Sequence, residues 1–553
     1  MRRNRGDEDG VGLGRVARGG AVNMAGAVVG AGLNLGVVVA VARGFSPEAA
    51  GVFFSATSVF LIMAAVANLG TSNGLVYFVA RLRALGAAGQ VPSVLRLAFG
   101  PTVAVAAVLA VATLLLADPL ARWLGAPEAG TYLRLLAAFL PFAVAGDAAM
   151  AAARGMHDMG STVAFDKVAR PLSQLVLLGT AALVGAAGLL TVAWAGPYLP
   201  IAALAWWWLR RLLRRADDDG ATASEAAVAP GARTFWAFTL PRSVADIAQI
   251  GIQRSGIVLV AVLRSAAEAA LFTAATRFMV VGQFGMQAVQ YAAQPRMTEL
   301  LALEDRAGAN TLFQTSTAWL ICLTWPLFLP LIVYAPLVLG VFGTGYAAGE
   351  GVLVVISLAM LLASACGMGD LVLTVAGRPR WSLVNNVAAL VVDVCVCVGL
   401  VPMLGAVGAA VAWLAAIGVR NLLPVVQLAR WLRLWPVGRP WLLAVAVTTV
   451  WFGLVPLGGR LLLGVTLPSL AATLAVAGLG YVATVWGVRG PLGIGEITGG
   501  DRRSKPASDT TPADGAPTQA ACPEQVQPTQ EGTHPPKAPH TSDYSHKVST
   551  NAR

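Results

Sequence analysis

Charge and histidine are what this sequence has least of. Only 12% of its 553 residues are Asp, Glu, Lys or Arg, and of its four histidines three (His534, His540 and His546) lie near the end of the chain. A soluble globular domain is about 25% charged and about 45–50% apolar. Here 57% of residues are apolar and the mean hydropathy is +0.69, so water is not the solvent around most of the chain. The scarcity of histidine leaves no Ser/His/Asp or Cys/His arrangement, and no GxxxxGK[ST] phosphate loop occurs. The sequence therefore reads as a non-enzyme without a cofactor. The five cysteines, Cys322, Cys366, Cys395, Cys397 and Cys522, form no CxxC pair, and four lie in apolar runs. They read as small buried hydrophobes, not as disulfides or zinc ligands. The formal charge of +11 does not point to nucleic acid, because the basic residues sit at the ends of apolar runs instead of along one face.

What the sequence has in quantity is apolar runs of the length that crosses a bilayer, about 20 residues in a helix. Fourteen spans are expected, at about 20–42, 51–70, 97–117, 131–152, 169–187, 190–209, 237–262, 268–294, 313–338, 350–372, 382–403, 406–428, 440–456 and 463–487. Strands of a barrel would be half as long and would alternate, so the expected fold is an all-α integral membrane protein. With the N-terminus inside, outside-facing segments hold only Arg43, Arg122, Arg134, Arg264 and Arg460, whereas inside-facing segments and span borders hold 24 Arg and Lys residues, Arg170 among them. This is the positive-inside bias, and it places both termini in the cytoplasm.

A repeat organises the spans. Ser46-Pro-Glu-Ala-Ala-Gly-Val-Phe-Phe-Ser-Ala-Thr57 aligns with Ser265-Ala-Ala-Glu-Ala-Ala-Leu-Phe-Thr-Ala-Ala-Thr276, and Gly146-Asp147 with Ala153 aligns with Gly369-Asp370 with Ala376. The second pair is expected in the fourth and tenth helices, which run the same way, so the two halves form a parallel repeat. The expected organisation is a cytoplasmic N-terminus (1–19), a first six-helix lobe (20–209), a cytoplasmic linker (210–236), a second six-helix lobe (237–428), an appended helix pair (429–487) and a tail (488–553). The tail, rich in Pro, Thr and Ser, has too little apolar surface to fold and is read as disordered.

Polar residues inside the spans mark the candidate site, since an ionisable group at mid-membrane costs roughly 2.5–3.5 kcal/mol on insertion scales. Arg242, Asp246, Gln249 and Gln253 share one face of the seventh helix, and Gln283, Gln287, Gln290 and Gln294 repeat that spacing on the eighth, after Arg277. Asn23, Gly30 and Asn34 form a weaker stripe on the first. These stripes imply a hydrated cavity between the halves; the bland alternative is interhelical hydrogen bonding. Arg242 stands near an edge, where it can snorkel, and Arg254 lies off the stripe. Asp147, Asp370 and Asp393 are deep carboxylates, either structural partners of arginines or proton or cation sites. Arginines outnumber acids here, which favours an anionic cargo with phosphate groups, and the amides suit sugar hydroxyls.

The chain resembles the multidrug/oligosaccharidyl-lipid/polysaccharide flippase superfamily, and within it the polysaccharide-biosynthesis (O-antigen-type) transporters. The resemblance rests on Ala42-Arg43, Pro47-Glu48, Gly51, Phe53, Leu69-Gly70 and Arg81, then on Leu240-Pro241, Leu271-Phe272, Ala275, Arg277, Gly343, Tyr346-Ala347, Gly405 and Gly408-Ala409-Ala410, over about residues 15–430. It implies an alternating-access carrier that moves an undecaprenyl-diphosphate-linked oligosaccharide from the inner to the outer leaflet of the cell membrane, with membrane lipids around it and H+ or Na+ as the candidate coupling ion. Arg277 falls where the related lipid II flippases have a functional arginine, whereas their helix-one arginines match nothing here beyond Arg15 and Arg18. A MATE-like multidrug exporter shares the implied fold and would favour an acidic cavity.

Overall fold

The computed structural model describes residues 5–218 and 229–490, with side chains from residue 25 onward except at 88 and 216–218. These residues lie within one compact unit, Met1–Thr498. The expected tail beyond 490, the middle of the expected linker, and the side chains of Arg15, Arg18 and Asn23 are outside the described residues.

Every described element is helical. We number the long helices α1 (Arg5–Gly44), α2 (Pro47–Asn68), α3 (Val91–Leu115), α4 (Ala129–Gly155), α5 (Met159–Val184), α6 (Ala187–Arg215) and α7 (Ala232–Leu263). They continue as α8 (Ala266–Ala302), α9 (Arg306–Val333), α10 (Thr344–Ala365), α11 (Pro379–Leu404), α12 (Ala406–Trp431), α13 (Arg439–Leu463) and α14 (Leu467–Gly487). Thirteen of them, all but α8, are long and apolar enough to cross a membrane. α8 is 37 residues long and occupies the position of the eighth expected span; its row of glutamines lowers its hydropathy. All fourteen expected spans thus correspond to helices.

Local chemistry sets the ends. Ser46 caps α2, accepting the Ala49 N–H at 3.2 Å, with Pro47 in the first turn; Ser265 caps α8 the same way, accepting the Glu268 N–H at 3.2 Å. The two aligned segments of the repeat are therefore the same capped helix start. α2 stops where Leu69 and Gly70 enter the left-handed region (φ 49° and 72°). α3 and α6 pack on α4, α5 packs on α1, α10 packs on both α9 and α12, α11 packs on α7 and α12, and α2 runs along both α7 and α8. At one end of α2, Gly51 has no room for a side chain: a Cβ there would lie 1.7 Å from the Ala266 carbonyl oxygen. At the other end Gly70 and Gly74 press on Thr239. The first and second halves thus meet at both ends of α2.

The tenth expected span, 350–372, needs correction. α10 ends at Ala365, because Gly367 takes φ +77°, and Asp370 sits in the first turn of a separate short helix, Gly369–Val375. The basic segment after α2 is a further helix, Thr71–Ala84, carrying Arg81 and Arg83 in its last turn. Glu268 accepts the Ala406 N–H at 2.8 Å and pairs with Arg264 at 3.2 Å, so it caps α12 across the loop.

Candidate functional site

Two breaks in helical regularity shape the central site. In α5, Val163–Ala169 forms a π-helix turn, which shifts the helix face just before Arg170 and Gln174. In α6, the chain breaks at Gly196-Pro197. Gln174, 2% exposed, closes that break by donating to the Trp194 carbonyl at 2.7 Å.

Together these breaks open a cavity of about 180 Å³ between the halves, lined by Asn34 of α1, Thr57 and Ser58 of α2, Arg170 and Gln174 of α5, Tyr198 of α6, Arg254 of α7 and Arg277 of α8. Three arginines converge on it. Arg170 is fixed, paired with Asp166 at 2.5 Å and donating to the Tyr198 hydroxyl at 2.7 Å. Arg277 donates only within its own helix, to the Thr273 carbonyl at 3.2 Å and the Thr276 hydroxyl at 3.4 Å. Arg254 has a buried Nε with no hydrogen-bond partner. Among the described residues neither Arg254 nor Arg277 is in an ion pair. The walls thus carry more positive charge than negative, with guanidinium donors unspent.

The expected site residues separate into three places. Arg277, Arg254 and Asn34 line this central cavity. Gln249, Gln253, Gln283 and Gln287 line a second cavity, of about 440 Å³, together with Asp370, Arg420 and Asn421. All of its lining residues fall between 249 and 421, so the glutamine stripes face the interior of the second half and not the gap between halves. The physical reason is rotation along α7: Arg254 follows Gln253 by one residue, about 100° around the helix, so the two face different cavities. Arg242 and Asp246 line neither cavity. Arg242 lies over the Phe238 ring at 3.9 Å, and Asp246 accepts from Asn73 at 2.8 Å, tying α7 to the Thr71–Ala84 helix.

The deep carboxylates also differ. Asp147 borders a small void of about 10 Å³ with Asp166, Arg170 and Tyr198. Asp370 faces the second cavity and has an oxygen without a partner. Asp393 is 1% exposed and accepts from Ser255 at 2.5 Å, away from both cavities. Among the described residues no group of three or more His, Cys, Asp or Glu is arranged to hold a metal.

Sequence reasoning missed Arg170, Gln174 and Tyr198. It counted Arg170 among the charges flanking a span, at a border drawn at 169. The signal was the spacing Asp166, Arg170, Gln174, successive i, i+4 steps that point one way along a helix.

Comparison with known proteins follows from this geometry. A family model described as polysaccharide biosynthesis protein matches residues 16–301. A solved lipid II flippase, MurJ, in an inward closed conformation, superposes with a TM-score of 0.67 at 10% identity, covering 86% of this chain and 99% of that one. An inward-facing multidrug resistance MATE family transporter of the MOP superfamily superposes with a TM-score of 0.59 at 17% identity, over 72% of this chain and 94% of that one. A MOP superfamily transporter from Pyrococcus furiosus gives 0.52 at 18% identity, over 76% and 95%. At such identities the likeness is one of fold. A search of curated proteins returned no match.

Proposed function

This chain belongs to the polysaccharide biosynthesis protein family, and from that premise we propose that it carries a polyprenyl-diphosphate-linked oligosaccharide, of the undecaprenyl type, from the inner to the outer leaflet of the cell membrane. The observation that supports this reading is the convergence of Arg170, Arg254 and Arg277 on one cavity between the halves, with Asp166 as the one paired acid. Guanidinium forks match phosphate oxygens in bidentate fashion, and Asn34, Thr57, Ser58 and Gln174 beside them suit hydroxyl groups.

The cavity volume bears on mechanism. Small-molecule sites commonly measure about 300–1,000 Å³, and about 180 Å³ leaves room for a phosphate group but not for a glycan. The halves must therefore part to admit cargo, first on one side and then on the other. In this reading both termini face the cytoplasm. A coupling H+ or Na+ is assigned to Asp370, the deep carboxylate that faces a cavity with room for exchanging water. A drug exporter for cations would use an acid-lined central cavity. Acid is scarce there, and in the second cavity Arg420 stands with Asp370.

The test is a lipid extraction from cells lacking the protein and from cells carrying Arg277→Ala, with polyprenyl-diphosphate glycans profiled by mass spectrometry. A completed lipid-linked oligosaccharide should accumulate in both while the surface polymer falls. An unchanged pool with altered drug sensitivity would refute the flippase and favour the exporter.

A further inference from the structure

A groove on the outer flank of the first half has the makings of a lipid site. It measures about 540 Å³ and runs between α3, α4 and α6, with Phe99, Pro141, Leu199, Ala203 and Trp206 along it and Arg210 at one end. Its floor is rigid: Trp206 donates to the Ala145 carbonyl at 3.1 Å and meets Phe99 edge-on at 4.9 Å. From Leu199 to Arg210 the groove follows α6 for roughly 16 Å at 1.5 Å per residue. That is about half the ~30 Å hydrocarbon core, the depth of one leaflet. The apolar part is long enough for an acyl chain and lies where acyl chains are the solvent.

The charged end is equally directional. Past Arg210, α6 continues with Arg211, Arg214 and Arg215, all exposed, and Arg96 stands on α3 one turn before Phe99 and two before Val103, which also lines the groove. Neither Arg210 nor Arg96 is in an ion pair among the described residues. The groove shares no lining residue with either of the two cavities described above. Phe142 and Ala202 of its wall also border the small void beside Asp147.

We propose that this groove binds one anionic glycerophospholipid, its acyl chain along Leu199, Ala203 and Trp206 and its phosphate against Arg210, with Arg96 adding positive charge. A neutral, zwitterionic lipid offers the same chain but cancels its own phosphate charge, so the arginine end selects the anionic headgroup. A basic residue near anionic lipid contributes about 1 kcal/mol, or about fivefold in occupancy.

Native mass spectrometry of the purified full chain, titrated with dioleoylphosphatidylglycerol or dioleoylphosphatidylcholine, reads this directly. The wild type should retain one phosphatidylglycerol with about fivefold preference over phosphatidylcholine. Arg210→Gln together with Arg96→Gln should erase the preference while some lipid of either kind remains. Ala203→Trp, placed at an exposed position so that nothing in the fold is displaced, should fill the groove and lose the bound lipid; its melting temperature in lipid-free detergent serves as the folding control. Equal retention of both lipids by the wild type, or unchanged retention in a folded Ala203→Trp, overturns the proposal. So does undecaprenyl phosphate displacing phosphatidylglycerol from the wild type, which would assign the groove to the polyprenyl carrier. Arg277→Ala, in the central cavity, should leave lipid retention as in the wild type.

Discussion

Asp393 and Ser255 face each other across α7 and α11 as a single short hydrogen bond in apolar surroundings, 2.5 Å from donor to acceptor. Removing one member of such a pair leaves the other unsatisfied, which costs about 1–3 kcal/mol, whereas replacing both with apolar groups is nearly neutral. Ser255→Ala should therefore lower the melting temperature of the detergent-solubilised protein, and Ser255→Ala with Asp393→Leu should recover most of the loss. A double variant no better than the single one would show that Asp393 has a further partner. Polar residues in apolar sequence are easy to see, so Arg277 and Asn34 stood out as candidate site residues before any coordinates, whereas Arg254 read as lying off the stripe. The division of Gln253 from Arg254 was not legible, because adjacent residues on a helix face different neighbours and only packing decides which neighbour is where. Arg170 was hidden for a different reason: a basic residue at the border of an apolar run looks like a flanking charge unless its Asp166 and Gln174 spacing is weighed.

At the scale of elements, the π turn of α5 does what no single side chain could. One extra residue in the turn Val163–Ala169 offsets everything after it, and Arg170 and Gln174 come next. Deleting exposed Ala164 should restore plain α-helix and rotate one flank of α5 by about 100° relative to the other. Arg170 would then leave the cavity or lose Asp166. The expected outcome is a protein that still inserts and purifies but has lost transport by at least about tenfold, measured by export of the lipid-linked glycan. Full transport by the deletion variant would mean that the turn and Arg170 are dispensable. Span positions were legible from hydropathy because each is a single long run, and the serine caps of α2 and α8 could be read from the repeat itself. The π turn, the break at Gly196-Pro197 and the stop at Gly367 were not, since each depends on which backbone groups the neighbouring helices satisfy. Prolines inside α4, α7, α8, α9, α11 and α12 interrupt nothing of comparable length, so proline alone gives no rule for where a membrane helix breaks.

At the scale of the whole molecule, the halves touch at both ends of α2 around a cavity too small for a glycan. At one end Arg43 donates to the Val341 carbonyl at 2.7 Å and Gly51 abuts Ala266; at the other Asn73 bonds Asp246 at 2.8 Å and Gly70 abuts Thr239. These contacts add to the packing of α2 along α7 and α8, which joins the two halves over much of that helix. The small residues at Gly51, Gly70 and Gly74 let backbones approach without interlocking side chains. If cargo passes by rocking, both ends have to open in turn, and fastening either one is enough to stop the cycle. With the native cysteines replaced by alanine, cysteines at Asn73 and Asp246, or at Arg43 and Val341, joined by a short bis-maleimide, should each abolish export, while either single cysteine treated with the reagent should not. Labelling adds the direction. Fastening one end should leave a cysteine at Thr57, in the cavity wall, reachable from the opposite side alone. Export that persists with either cross-link in place would show that cargo moves without separation of the halves, and the arginine-lined cavity would then be a static binding site and not the midpoint of a transport path.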